Sequence, residues 1–316
     1  MNSEKLMKVF YILMFPAVLF ITGCSKNTII FEEGGNNSEG NNSSNKTLVT
    51  FDASIEDRNL LTRAMAPMKK GIQNRLYAFT SAKGNSLDGV PAAEGLYITS
   101  APGTLIGSEG YKMYLESGTY DFYAVSDNFS TIPPMFTSGQ SEPLFNGIDY
   151  LWWHSPQQDV ISTQIRIPIV YLHAATQIVI EVSAGDSIIL NKLVSATITS
   201  SKSGASLNLA TGVIPPSLTY GETDKMGING NLAQYIMLPL KTTSPMTVTL
   251  EVMVNNENSS RTYTVQAPIP DGELKAGNSY LYSAIIEGNS VTFPQVYIKN
   301  WTEVDETGKP LYPSLE

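Results

Sequence analysis

Val49-Thr50-Phe51-Asp52-Ala53-Ser54-Ile55 alternates apolar and polar side chains without a break. Successive residues of a strand point to opposite faces. The run therefore predicts a β-strand with Val49, Phe51, Ala53 and Ile55 turned to a core and Thr50, Asp52 and Ser54 turned away. The period of two returns in 177–182, 194–199, 235–240 and 246–254. In the last of these, Met246, Val248, Leu250, Val252 and Val254 share one face, and Asn255-Asn256-Glu257-Asn258 turns the chain into Arg261–Ala267. Tyr111, Met113 and Leu115 lead through Glu116-Ser117-Gly118 into 119–126, an expected hairpin. Strands at 280–286 and 291–301 finish the body.

Short strands parted by Gly, Pro and Asn turns, with no helical periods between them, predict an all-β fold of antiparallel sandwiches. About 270 residues of such strands exceed one small sandwich, so two in tandem are expected. The boundary is placed where Pro156–Asp159 precede a new long strand pair, giving domains 48–164 and 165–316.

Upstream of the first strand the composition changes twice. Lys5 and Lys8 precede Val9–Thr22, 14 uncharged and mostly apolar residues. About 20 are needed to span a bilayer as a helix, so residues 1–23 read as an export signal. Ile21-Thr22-Gly23-Cys24 resembles a bacterial lipobox, and Cys24 is the chain's only cysteine. It stands where acylation needs a thiol. Burial of acyl chains is worth about 0.8 kcal/mol per CH₂, so two or more chains make a lasting tether to outer-membrane lipid. Residues 24–47 then read as a flexible spacer, because eleven of the twelve residues 34–45 are Gly, Asn or Ser.

Composition narrows the function. The chain has 316 residues, 16% of them charged, and a formal net charge of −9. Phosphate recognition calls for a basic stripe, so nucleic acid is not an expected partner. A single cysteine forms no internal disulfide, and an exported core must hold by packing. His154 and His173 are the only histidines. No metal-ligand spacing, nucleophile elbow or phosphate loop occurs in the sequence. No catalytic, metal or cofactor residue is therefore assigned, and the chain is not expected to be an enzyme. Trp152 and Trp153 are adjacent on a predicted strand, so one enters the core and the other faces outward. The outward indole either stacks a sugar ring or is covered by a loop or a neighbouring subunit.

In their order and spacing these pieces resemble the fimbrillins, Bacteroides-type lipoprotein pilins of tandem transthyretin-like sandwiches. The resemblance rests on Cys24, the polar spacer, Val49–Ile55 followed by Thr62-Arg63-Ala64, and Gly118-Thr119-Tyr120-Asp121-Phe122-Tyr123-Ala124. It continues through Leu172–Ile180, similar to the strand opening the family's second domain, and Leu274–Tyr282, Val291-Thr292-Phe293 and Ile298–Trp301.

The resemblance implies export as a lipoprotein, then a cut by a trypsin-like protease after an arginine in the loop behind the first strand. Loss of that strand, here carrying Val49, Phe51, Ala53 and Ile55, opens a groove that a strand of another pilin subunit fills. The loop is Asp57–Met68, and the bond between Arg63 and Ala64 is the expected site, with Arg58 and Arg75 next. Read structurally, Arg63 is a solvated loop residue. One feature departs from the family's shaft subunits, which donate a C-terminal strand: residues 302–316 are acidic and broken by Pro310 and Pro313. The expected role is a structural or accessory pilus subunit at the cell surface. The alternative is a monomeric, lipid-anchored adhesin that binds a host or glycan ligand through Trp152 or Trp153.

Overall fold

A computed structural model of the chain describes residues 46–56, 65–81, 87, 89–299 and 301. Cys24, the spacer up to residue 45, Arg58, Arg63, Ala64 and the tail 302–316 lie outside the described residues, and Thr47, expected at the end of the spacer, already belongs to the first strand. The described residues form strands and two short 3₁₀ turns, with no α-helix among them, and they belong to one compact unit, 44–316.

The first eleven strands run in chain order β1 (Thr47–Glu56), β2 (Met65–Pro67), β3 (Gln73–Thr80), β4 (Ala93–Ala101), β5 (Thr104–Gly107) and β6 (Met113–Leu115). Then come β7 (Gly118–Ser126), β8 (Phe136–Thr137), β9 (Gln140–Ser141), β10 (Leu151–Val160) and β11 (Gln164–His173). Nine of them make one sheet in the order β11-β10-β7-β3-β4-β5-β1-β2, with β6 also on β1. Because β11 pairs back onto β1, the path of pairing returns to its start. β1 closes the sheet.

The second group comprises β12 (Thr176–Ala184), β13 (Leu190–Ser201), β14 (Tyr220–Lys225), β15 (Gly227–Asn229), β16 (Leu232–Met237) and β17 (Leu240–Lys241). It continues with β18 (Met246–Val254), β19 (Arg261–Ala267), β20 (Glu273–Leu274), β21 (Ser279–Glu287) and β22 (Ser290–Lys299). A five-stranded sheet, β15-β16-β12-β21-β22, and a four-stranded sheet, β14-β13-β18-β19, share one core. Ile178, Ile180, Tyr280 and Tyr282 come from the first sheet. Leu193, Ile198 and the five alternate residues Met246–Val254 come from the second. All five are 0% exposed, as the period of two requires. Asn255 and Asn256 turn β18 into β19 at φ of 51° and 56°, a left-handed conformation that asparagine tolerates.

Three details differ from the sequence expectation. First, two pairings are parallel: β1 with β11 and β12 with β21. Each joins the first strand of its group to a strand near the end of that group. Second, β6 and β7 form no hairpin. β7 is buried from Tyr120 to Ser126 and lies between β3 and β10, so it has no free edge. β6 crosses instead to β1, setting Met113 opposite Val49. Third, β11 pairs with β1 and β10, and the first strand of the next sheet is β12. The chain thus changes sheets at Ala174-Ala175 rather than near residue 165. Both alanines are buried, and Ala174 joins Tyr77, Tyr123, Leu144, Tyr150, Leu207, Leu209 and Leu238 in a third apolar cluster.

Candidate functional site

β1 is alternately buried along its whole length. Val49, Phe51, Ala53 and Ile55 are 2, 3, 2 and 8% exposed, which places all four on the core face. On one side β1 pairs with β11 in unbroken parallel register, from Leu48 opposite Gln164 to Ile55 opposite Tyr171. On the other side it meets three short strands in turn: β6 at Thr47–Val49, β5 at Asp52 and β2 at Ser54–Glu56.

Each position of β1 makes specific contacts. The Phe51 ring meets Tyr97 and Phe122 edge-on, at centroid distances of 5.4 and 6.0 Å. The Ala53 N–H donates to the Gly103 carbonyl at 2.8 Å, and its carbonyl accepts the Met68 N–H at 3.0 Å. Gly103 sits at φ +77°, and a Cβ there would press on Pro67 Cβ at 3.3 Å and Ala53 O at 3.4 Å, so glycine lets this turn lie against β1.

The outward face is polar and also bonded. Thr50 Oγ1 donates to Ile165 O at 3.0 Å and Ser54 Oγ to Ile169 O at 3.2 Å, while on the buried face Thr47 Oγ1 donates to Ser162 O. The Arg166 guanidinium grips the Asp52 carboxylate with two N–H groups, Nε to Oδ2 and Nη2 to Oδ1. That pairing raises the Arg166 pKa further above its ordinary value. The Asp52–Arg166 fork has no counterpart in local sequence, because its partners are 114 residues apart.

β2 follows the undescribed residues 57–64 directly, and all three of its residues are exposed, Met65 by 63%. The chain beside Ala64 is therefore at the surface. Arg75 is different: it lies within β3, 8% exposed, with Nη1 donating to Glu94 Oε1 at 2.7 Å.

The two tryptophans occupy different surroundings. Trp153 is 8% exposed in the core of the nine-stranded sheet. Trp152 is half-buried on the opposite face. Its indole N–H donates to Leu209 O at 2.7 Å, and Gly212 lies so close that a Cβ there would be 2.4 Å from the ring. The loop around Leu209–Gly212 thus covers part of the outward indole.

Both histidines are packed. His154 stacks on Tyr123 at 4.3 Å, and burial lowers its pKa. His173 Nδ1 lies 2.7 Å from Asp149 Oδ1, and its ring stacks on Trp301. No cluster of three or more His, Cys, Asp or Glu with metal-binding geometry occurs among the described residues.

β1 is buried on one face and closes its sheet, and the exposed β2 follows the undescribed residues 57–64. The fimbrillin-like family profile matches residues 62–301, three quarters of the sequence. The chain belongs to the fimbrillin-like family. With that membership goes a pilus-related or adhesive role at the cell surface. The matched region begins after β1.

Three solved structures of Bacteroides candidate cell adhesion proteins share the fold. The one from B. uniformis has 16% identity and a TM-score of 0.59, covering 82% of this chain and 100% of its own. That from B. ovatus has 17% identity and a TM-score of 0.60, covering 82% and 99%. That from B. fragilis has 16% identity and a TM-score of 0.57, covering 81% and 99%. No curated protein matches.

Proposed function

We propose that this fimbrillin-like chain is a structural or accessory subunit of a surface pilus, exported as a lipoprotein acylated at Cys24 and assembled by strand exchange after a cut between Arg63 and Ala64. The observation that carries the reading is the position of β1, which is core on one face and closes the sheet, with the exposed β2 beginning next to the proposed cut. Once the bond is cut, only non-covalent contacts retain the strand.

Its departure would open the pairing edge of β11, uncover the Tyr97 and Phe122 rings that Phe51 covers, and leave β2, β5 and β6 without their shared partner. Burying a Val, Phe or Ile is worth about 1.5–3 kcal/mol each, so the emptied groove strongly favours a replacement. An incoming strand also satisfies the open rows of backbone N–H and C=O groups. In this reading residues 1–23 are removed on export, and the polar stretch ahead of β1 holds the body off the outer-membrane lipid.

N-terminal sequencing of the protein taken from cells tests the proposal. Assembled material starts at Ala64 and runs as a ladder of oligomers after arginine-specific proteolysis, and Arg63→Ala abolishes both. A blocked start at Cys24 in all surface material, with monomers before and after proteolysis, would return the role to a monomeric anchored adhesin.

A further inference from the structure

The contacts that hold β1 specify what could replace it. Direction comes first. Eight consecutive parallel pairs with β11, and antiparallel pairs with β6, β5 and β2, admit a strand running only as β1 runs. The offset between paired residues is constant along β11, so the register contains no bulge. A slip of one residue would turn every core side chain outward.

The pattern comes second. The site of Phe51 is an aromatic box of Tyr97 and Phe122. Two residues on, the Ala53 methyl is enclosed, at 2% exposure, on a backbone held by Gly103 and Met68. A longer side chain there overpacks the core. Between them the Arg166 fork awaits a carboxylate. Leu48 N–H donates to Thr163 O on the β11 side, so by the period of two the backbone N–H of residue 52 also faces β11.

The last of the described strands provides an internal comparison. β22 contains Val291-Thr292-Phe293, repeating Val49-Thr50-Phe51, and then departs. In that alignment Pro294 stands at the place of Asp52 and Gln295 at the place of Ala53. Proline brings neither the carboxylate for Arg166 nor an N–H for β11. Glutamine brings a long amide into a methyl-sized site. Farther along the chain, Pro310 and Pro313 interrupt residues 302–316.

We infer that the β1 groove selects a strand of the pattern aromatic, acid, small, and rejects this chain's own C-terminal strand, so that its occupant is supplied by a different protein. The inference rests on the strand-exchange reading, and its test separates the two.

The full chain is cut with an arginine-specific protease and the start at Ala64 verified by mass. It is then incubated with a fluorescent ten-residue peptide of Thr47–Glu56. Unlabelled competitors are the same peptide, its Phe51→Ala, Asp52→Lys and Ala53→Gln variants, and the Ser290–Lys299 peptide. The parent peptide is expected to enter. Phe51→Ala and Ala53→Gln should compete at least tenfold more weakly and Asp52→Lys a few-fold more weakly. The Ser290–Lys299 peptide should fail at a hundredfold excess. Equal competition by Ala53→Gln or by Ser290–Lys299 would overturn the selectivity and leave strand exchange standing. Failure of the parent peptide itself to enter would overturn both.

Discussion

The rings of His173 and Trp301 stack at 3.9 Å with 13° between their planes. His173 ends the last strand of the nine-stranded sheet, and Trp301 lies just beyond β22, the last strand of the second group. The stack therefore ties the far end of the second group back to the place where the chain passes from one group to the other. Asp149 completes it, accepting from Asn128 Nδ2 at 2.9 Å while pairing with His173.

Trp301→Ala should remove that tie. Truncating a buried tryptophan typically costs about 3–5 kcal/mol, and a loss in that range is expected. Urea denaturation gives the loss directly. Limited proteolysis should cut next to β22 earlier in the variant than in the parent.

Asp127 should make stability fall with rising pH. Burial pushes its carboxyl up to about 7, against the help of Thr131 Oγ1, which donates to Oδ2 at 3.0 Å. The folded-state pKa is thus above the unfolded value of about 3.9. The group's contribution is full below pH 4, declines between 4 and 7, and is gone above. Asp127→Asn keeps the acceptor for Thr131 without the charge. It should therefore gain on the order of 2 kcal/mol over the parent at pH 8 and little at pH 4, read from denaturation curves at both pH values.

Gly212→Ala should displace Trp152. The added methyl would meet the indole at 2.4 Å, on a backbone whose φ of +69° already disfavours alanine. A loss of about 2–3 kcal/mol is expected in thermal or urea unfolding, with a change in tryptophan emission as the ring moves.

Phe51→Ala and Thr50→Ala, adjacent on β1, should separate cleanly in the uncut chain. Phe51 fills the Tyr97–Phe122 box, and its loss should cost about 3–5 kcal/mol. Thr50 is half-buried with one hydrogen bond to Ile165 O, so its truncation should cost about 1 kcal/mol. Chemical denaturation of the two variants side by side provides the check.

The faces of the strands were legible in the sequence, because alternation is a local property of consecutive side chains. Val49–Ile55 and Met246–Val254 each declare their buried face unaided. Pairing was not legible in the same way. Nothing near Phe51 announces that β11, more than a hundred residues on, will lie parallel to it, or that Arg166 will reach Asp52. The change of sheet was misplaced for a related reason. β11 alternates and β12 opens as a run of buried residues, but the two buried alanines between them carry none of the Gly, Pro or Asn punctuation that marks a boundary. The hairpin expected at Glu116–Gly118 failed because a turn signal fixes a change of direction, not the strand on the other side of it.

The pairing of β1 with β11 bears on the order of folding. Strands joined across so long a stretch must wait until the intervening chain has collapsed, since the entropy of closing that loop opposes early contact. β1 emerges first at synthesis yet can dock only after β11 has been made. Pairing of β1 with β11 therefore cannot precede synthesis of β11, however early the strands between them pair. The seat of β1 is filled late, by a strand supplied in cis at an effective concentration that no free strand in solution matches.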